Sequence, residues 1–299
     1  MKQLWISSGK DQMSIRSLKE SDFVITTGRK LQQTFRSFNT NVSIFRNMFD
    51  WEQPQWKQER KFPAKDGKIT IGWIGLTSHF EDIKKMAPIM KYIHDKYSNT
   101  YFYIAGMAIK DTEVTITIDK DGNKKFDEVE IKDETKTYKA RVKQLFKDFD
   151  QSRIEFHDAV SLETYAKFYR EIDISLCYIE HLTFNQCKSE IKAVESVFYE
   201  NILVCMNYGG YNDMYNMMPE SIRHRNNFVN TEVSEHWKEA LEYWVNNYEE
   251  GRKYAKLQSE WVKDVYDINK HIDERVKFYN DTLESWEEKE MNRIKNILV

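Results

Sequence analysis

From about residue 20 to residue 206, short apolar runs alternate with stretches in which apolar residues recur every three or four positions. Such alternation is the pattern of strand–helix units wound around a parallel sheet. Seven runs read as strands: Phe23–Thr26, Val42–Phe45, Ile69–Ile74, Tyr101–Ile104, Ile154–Phe156, Ile172–Cys177 and Ile202–Met206. Between them, Asp82–Lys96 places Ile83, Met86, Ile89, Met90 and Ile93 in one stripe, which a helix would lay on the sheet. Leu162–Arg170 and Lys188–Tyr199 read as helices in the same way. The predicted class is α/β, a Rossmann-like parallel sheet flanked by helices.

One segment departs from this rhythm. EVTITIDKDGNKKFDEVEI, within about 112–132, has period-two strands on both sides of Asp121-Gly122, and it predicts an inserted β-hairpin. Asp119, Asp121, Asn123 and Glu130 imitate a calcium loop, but Gly122 occupies the fourth position rather than the sixth that such a loop needs. After Met206 the chain reads as loop, with Gly209-Gly210 placed where backbone could approach a ligand. From Glu235 onward it reads as helix, with no strand signal after Val229 and no repeat of solenoid length.

Composition narrows the class. No run reaches the roughly 18 apolar residues of a membrane-spanning helix, and MKQLWISSGKDQ lacks the layout of a secretory leader. A soluble cytoplasmic protein is expected. With 45 basic and 48 acidic residues there is no global field to recruit nucleic acid. Cys177, Cys187 and Cys205 are too few and too scattered for a disulfide framework or a zinc site, so reduced structural thiols are expected.

In an open parallel sheet, ligands bind beyond the carboxyl ends of the strands. Three corners there carry candidate chemistry. Gly75, Thr77 and Ser78, followed by His79, offer N–H groups and hydroxyls to phosphate oxygens, although an ordinary turn explains them as well. Ala105-Gly106 follows the next strand and reads more readily as a plain turn. The third corner, residues 183–195, is the most informative and holds Phe184, Asn185 and Ser189 as further candidate contacts. On a helix opening near Asn185, Lys188, Lys192 and Glu195 fall at i, i+4 and i+7 and share one face. Two ammonium groups beside a helix N-terminus suit a diphosphate, and a carboxylate one turn deeper suits ribose hydroxyls. The competing reading is a solvated face with a Lys192–Glu195 ion pair. His79 and His181 are loop histidines, which are more often surface decoration than catalytic bases.

With these residues in view, roughly residues 20–265 resemble the carboxyl-terminal domain of GT-B glycosyltransferases of the family-four, or group 1, type. The likeness rests on Ser21–Thr27 with Asn41–Asp50, Ile71–His79 with Asp82, Tyr103–Gly106, Glu171–Leu176, then Phe184-Asn185, Lys188–Lys192 and Glu195. Asn227–Val229 and Glu235–Leu241 continue it in the expected order. Two departures stand out. The family's paired glutamates, seven residues between them, correspond to Cys187 and Glu195, and its diphosphate-binding arginine and lysine correspond to Leu76 and Asp82. Lys188 and Lys192 are expected to supply the missing charge.

The resemblance implies a donor domain at 61–265, a remnant of an acceptor-side domain with its linker at 1–60, and a crossing helix at 266–299. It also implies transfer of a hexose, with retention, from a nucleotide diphosphate sugar to an unknown acceptor, with a uridine diphosphate sugar as the leading donor. No permanently bound cofactor or metal is implied. The 74 residues ahead of Gly75 are too few for a full acceptor domain, so a second chain or a homo-oligomer could complete the cleft. Against this stand a binding or structural protein without turnover and, less favoured because it also needs both domains, a sugar-nucleotide epimerase.

Overall fold

The computed structural model describes residues 10–57, 67–108, 112–118 and 124–297. Ten strands are numbered here in chain order: β1 Val24–Thr26, β2 Val42–Ile44, β3 Ile69–Ile74, β4 Thr100–Met107, β5 Thr112–Ile118, β6 Lys124–Glu130, β7 Ile154–Asp158, β8 Ile174–Cys177, β9 Ile202–Met206 and β10 Phe228–Val229. Six of them form one sheet in the order β10-β9-β8-β3-β4-β7. Every pairing in it is parallel. Buried on both faces, its central strands read as apolar runs rather than alternations: all residues of β8 and of β9 are buried.

Helices flank this sheet. Phe80–Lys96 buries Ile83, Met86, Ile89, Met90 and Ile93, the stripe that the spacing predicts. It packs against Tyr138–Leu145 and Ser234–Asn246, while Ile191–Phe198 packs against Tyr248–Val265. Trp73, Trp237 and Trp244 are the largest of the fully buried side chains.

The two earliest strands stay out of the main sheet. β1 and β2 pair with each other in parallel, Val24 opposite Val42, as a separate two-stranded sheet. The last helix, Ile268–Ile297, lies across it, with the Phe278 ring 5.1 Å from Phe23 and 4.9 Å from Phe45. Phe49 also bridges to Asp267 at the root of that helix.

Other expectations need correction or limits. Leu162–Arg170 is not an α-helix; Tyr165–Glu171 forms a 3-10 helix that buries Ala166, Phe168 and Tyr169. The stretch after Met206 is not all loop, since Gly210–Met217 is helical. Gly209 (φ +59°) and Gly210 face protein rather than open space: an added Cβ would lie 2.8 Å from the Asn185 oxygen and 2.7 Å from the Lys188 oxygen. The inserted hairpin is present as β5–β6, Thr112 opposite Glu130. Its turn, with Asp119, Asp121, Gly122 and Asn123, lies outside the described residues, as does the boundary expected near residue 60. Cys177, Cys187 and Cys205 are free thiols.

Candidate functional site

The strand order fixes where a crevice can open. From β3 the chain steps to β4 and β7 on one side, then returns to place β8 on the other. Neighbouring connections therefore diverge between β3 and β8, and an open α/β sheet leaves a cleft at such a point. Two turns meet there.

The turn after β3 is built tightly. The Gly75 N–H donates to the Ala105 carbonyl at 3.0 Å, and the Tyr138 hydroxyl donates to the Gly75 carbonyl at 3.2 Å. Gly106 has φ +89°, and a Cβ on it would stand 3.0 Å from the Gly75 oxygen. Both glycines thus serve one close approach of backbone, and neither position accepts a larger residue without a shift. Thr77 and Ser78 follow as exposed residues of a 3-10 turn leading into the Phe80–Lys96 helix. His79 Nδ1 lies 2.7 Å from Asp82 Oδ2, and Asp82 Oδ1 accepts the Glu180 N–H at 3.2 Å. Buried Asp82, which stands where the family places a lysine, therefore ties the β3 turn to the loop after β8. Burial pushes the His79 pKa down, and the two nearby lysines add to that, against the raising effect of Asp82.

Beyond β8, Thr183–Gln186 makes one helical turn and Ile191–Phe198 forms the helix proper. The expected continuous helix from 188 is thus broken, and Lys188 lies in the intervening loop instead of sharing a helical face with Lys192 and Glu195. The break has a physical cause. The Lys188 carbonyl accepts the Gly210 N–H at 3.2 Å, the Ser189 hydroxyl accepts from Asn47 at 3.0 Å, and the Asn185 amide donates to the Glu180 carbonyl at 2.9 Å. Glu190, the residue before the helix, is buried and accepts from Arg46 at 3.1 Å and from the Tyr266 hydroxyl at 3.0 Å. These bonds hold residues 185–190 in a bent loop. Phe184 projects outward, 73% exposed, with the Lys188 ammonium 5.6 Å from its ring centre.

Lys192 is nevertheless brought to the glycine turn. Its ammonium stands 5.4 Å from the centre of the Trp73 ring, and Trp73 Nε1 would lie 3.0 Å from a Cβ placed on Gly75. Burial lowers the Lys192 pKa to about 8, and the charge of Lys188 acts in the same direction. Among the described residues, neither Lys188 nor Lys192 makes a side-chain hydrogen bond or ion pair, so the Lys192–Glu195 ion pair of the competing reading is not formed. Trp73 Nε1 is buried and also lacks an acceptor.

Glu195 lies on the floor, 4% exposed, and its surroundings differ from the expectation. Its Oε1 accepts a short hydrogen bond from the Tyr165 hydroxyl, and its Oε2 accepts from the Tyr169 hydroxyl at 2.8 Å. Both oxygens therefore already have donors. Burial raises its pKa to about 7, against the lowering effects of the two phenols and Lys192. Tyr165 and Tyr169 were not anticipated as site residues; their i, i+4 spacing, seven and three residues ahead of buried Ile172, is the only sequence signal for them. His181, the other loop histidine, lies against Tyr208 with ring centres 4.3 Å apart and planes tilted by 35°.

No family profile and no curated protein matches the chain. Solved structures do. The chain is similar to sucrose-phosphate synthase from Thermosynechococcus elongatus (TM-score 0.63, 12% identity over 92% of this chain and 61% of that one). A mutant of S. aureus TarM in complex with Fondaparinux, alpha-GlcNAc-glycerol and UDP is similar at TM-score 0.61 and 11% identity, over 90% of this chain and 46% of that one. Anabaena HepE in complex with UDP-glucose is similar at TM-score 0.58 and 9% identity, over 93% and 67%. The chain thus spans about half to two thirds of the length of these structures. At such identities the likeness concerns fold, and the fold is the parallel α/β architecture of GT-B glycosyltransferases.

Proposed function

We propose that the chain binds a nucleotide diphosphate sugar at the β3–β8 crevice and takes part in glycosyl transfer from it. One observation carries this reading: two ammonium groups, Lys188 and Lys192, converge without carboxylate partners over a glycine turn at the sheet's switch point. Lys192 is desolvated, and the carboxylates of Asp82 and Glu195 act on it only through space, so a diphosphate would bring negative charge into direct contact. Transfer to an acceptor then draws on electrostatic stabilisation of the departing diphosphate, with no covalent step by the protein. Gly75, Thr77, Ser78 and Gly106 line the phosphate side, and Phe184, Asn185 and Ser189 shape the rim. A ribose hydroxyl reaches Glu195 by replacing the Tyr165 hydroxyl, since both are donors to the same oxygen. UDP-glucose, seen bound in Anabaena HepE, and the UDP of TarM favour a uridine diphosphate sugar as donor.

The family-four assignment, hexosyl transfer with retention, and a donor domain at 61–265 belong to the same proposal. The test is calorimetry with uridine diphosphate. Binding that disappears in Lys188→Ala/Lys192→Ala supports the site, and undiminished binding by that variant overturns it.

A second reading, binding without turnover, is favoured by Cys187 at the position of the family's first glutamate. Slow release of free sugar from radiolabelled UDP-glucose by the purified chain separates the two, because hydrolysis needs no acceptor.

A further inference from the structure

A cleft of about 380 Å³ opens between β2 and the last helix, away from the β3–β8 crevice. Its cause is a divergence of two elements. Phe278 fills the interface against Phe23 and Phe45, but one to two turns later the helix leaves the small sheet, and Ser285 and Trp286 face Thr40 and Ser43 across a gap. We propose that this cleft binds a neutral carbohydrate.

Three features of the lining point to that chemistry. The Trp286 indole is 50% exposed and, among the described residues, pairs with no other ring, so a broad apolar plane is presented to solvent. Phe23 and Phe278 extend the apolar side. Such planes suit the C–H face of a sugar ring, which is flat and apolar while its edge is hydroxylated. In the same lining, the Asp22 carboxylate and the hydroxyls of Thr40, Ser43 and Ser285 have no hydrogen-bond partner among the described residues. Hydroxyls that both donate and accept, beside an acceptor carboxylate, match the vicinal hydroxyls of a hexose. Finally, Asp22 and Asp281 line the cleft while no lysine or arginine does, which disfavours phosphate, sulfate and acidic sugars.

The cleft also has a route to the donor crevice. Val42 and Ser43 of β2 line the cleft, and just past the end of that strand Arg46 and Asn47 bond Glu190 and Ser189. At no more than about 3.3 Å per residue, Ser43 and Arg46 are within roughly 10 Å of each other. The carbohydrate is therefore placed to anchor an acceptor chain. That role rests on the glycosyl-transfer reading, whereas the binding itself does not.

The test is an array of immobilised neutral hexose and N-acetylhexosamine oligosaccharides with sulfated counterparts, probed with the full chain in the absence of nucleotide. Expected is binding to neutral members, weakened at least tenfold in Trp286→Ala and several-fold in Ser43→Ala, both with melting temperatures close to the parent. Binding to no neutral member, preference for sulfated ones, or equal binding by Trp286→Ala overturns the proposal. So does a Trp286→Ala variant that loses self-association while sugar binding persists, because the face is then a protein interface. A failed nucleotide titration with a positive array removes the acceptor role and leaves the cleft's ligand standing.

Discussion

Lys192 holds its ammonium 5.4 Å above the ring of Trp73, and the nitrogen of that same indole abuts Gly75. One tryptophan therefore joins the charged arm of the crevice to its backbone turn. The cation meets a π-face at close range, Asp82 and Glu195 act on it only through space, and burial remains the largest influence on it.

Replacing that charge should pull stability and binding in opposite directions. Lys192→Met removes a desolvated cation and keeps the stem that packs on Trp73, so the free protein is expected to melt a few degrees higher. Uridine diphosphate affinity should fall at least tenfold. Differential scanning fluorimetry with and without the nucleotide measures both at once; a variant that melts lower and binds equally well contradicts the assignment.

Acidity provides a second check. Lys192 titrates near pH 8 in the free fold, below the usual lysine value. Nucleotide binding should weaken below about pH 7, as the Glu195 carboxylate that accepts the ribose hydroxyl takes up a proton, and weaken again above pH 8 as the ammonium is lost, by up to tenfold per pH unit. For the lysine in the free protein the sign reverses. Between about pH 8 and the ordinary lysine pKa the unfolded chain binds more protons than the folded one, so this group adds stability as pH rises through that window. Calorimetric titrations from pH 6.5 to 9.5 follow the first effect and urea melts the second.

Tyr165 and Glu195 offer a sharper test of the sugar-nucleotide geometry. If a ribose hydroxyl takes the place of the Tyr165 hydroxyl, Tyr165→Phe removes a competitor, and uridine diphosphate should bind about three- to tenfold more tightly. Tyr169→Phe, by contrast, leaves a buried carboxylate oxygen without its donor and should cost about 1–3 kcal/mol in denaturant unfolding. Equal losses of affinity in the two variants would mean that Glu195 serves packing alone.

Gly106 carries the backbone of the crevice. Gly106→Ala meets both a left-handed φ and a 3.0 Å contact with the Gly75 carbonyl. A loss of about 1–3 kcal/mol of stability is expected, together with weaker nucleotide binding because the β3 turn must move. Unchanged urea midpoint and affinity would show that the turn is slack.

Much of the scaffold was legible because its signals are local. The runs at β3, β8 and β9 are mostly apolar, interrupted only by Thr70, Gly72 and Ser175, since both faces of the sheet are covered, and the stripe from Ile83 to Ile93 is periodic over a long helix. The site was legible in its parts but not in its geometry. Spacing placed Lys188 on a helix that does not begin until Ile191, because the bonds that unwind residues 185–190 come from Asn47, Arg46, Gly210 and Tyr266, all distant in sequence. Periodicity carries no trace of such partners. The phenols on Glu195 were missed for the same reason, and the turn of Gly210–Met217 was hidden by its glycines and asparagines, which favour loops when considered alone.

The seating of Phe278 between Phe23 and Phe45 has a consequence for the whole chain. A two-stranded parallel ribbon has little reason to persist by itself, so the head of the polypeptide depends on the tail buckled over it as well as on the helix Arg29–Phe35 and the Arg29–Asp213 contact. Phe278→Ala, giving up two edge-to-face pairs worth about 0.5–1.5 kcal/mol each, should raise amide exchange in β1 and β2 and leave β8 and β9 protected. An unfastened head would release Arg46 and Asn47 as well, and the loop bearing Lys188 would slacken from the far end of the molecule.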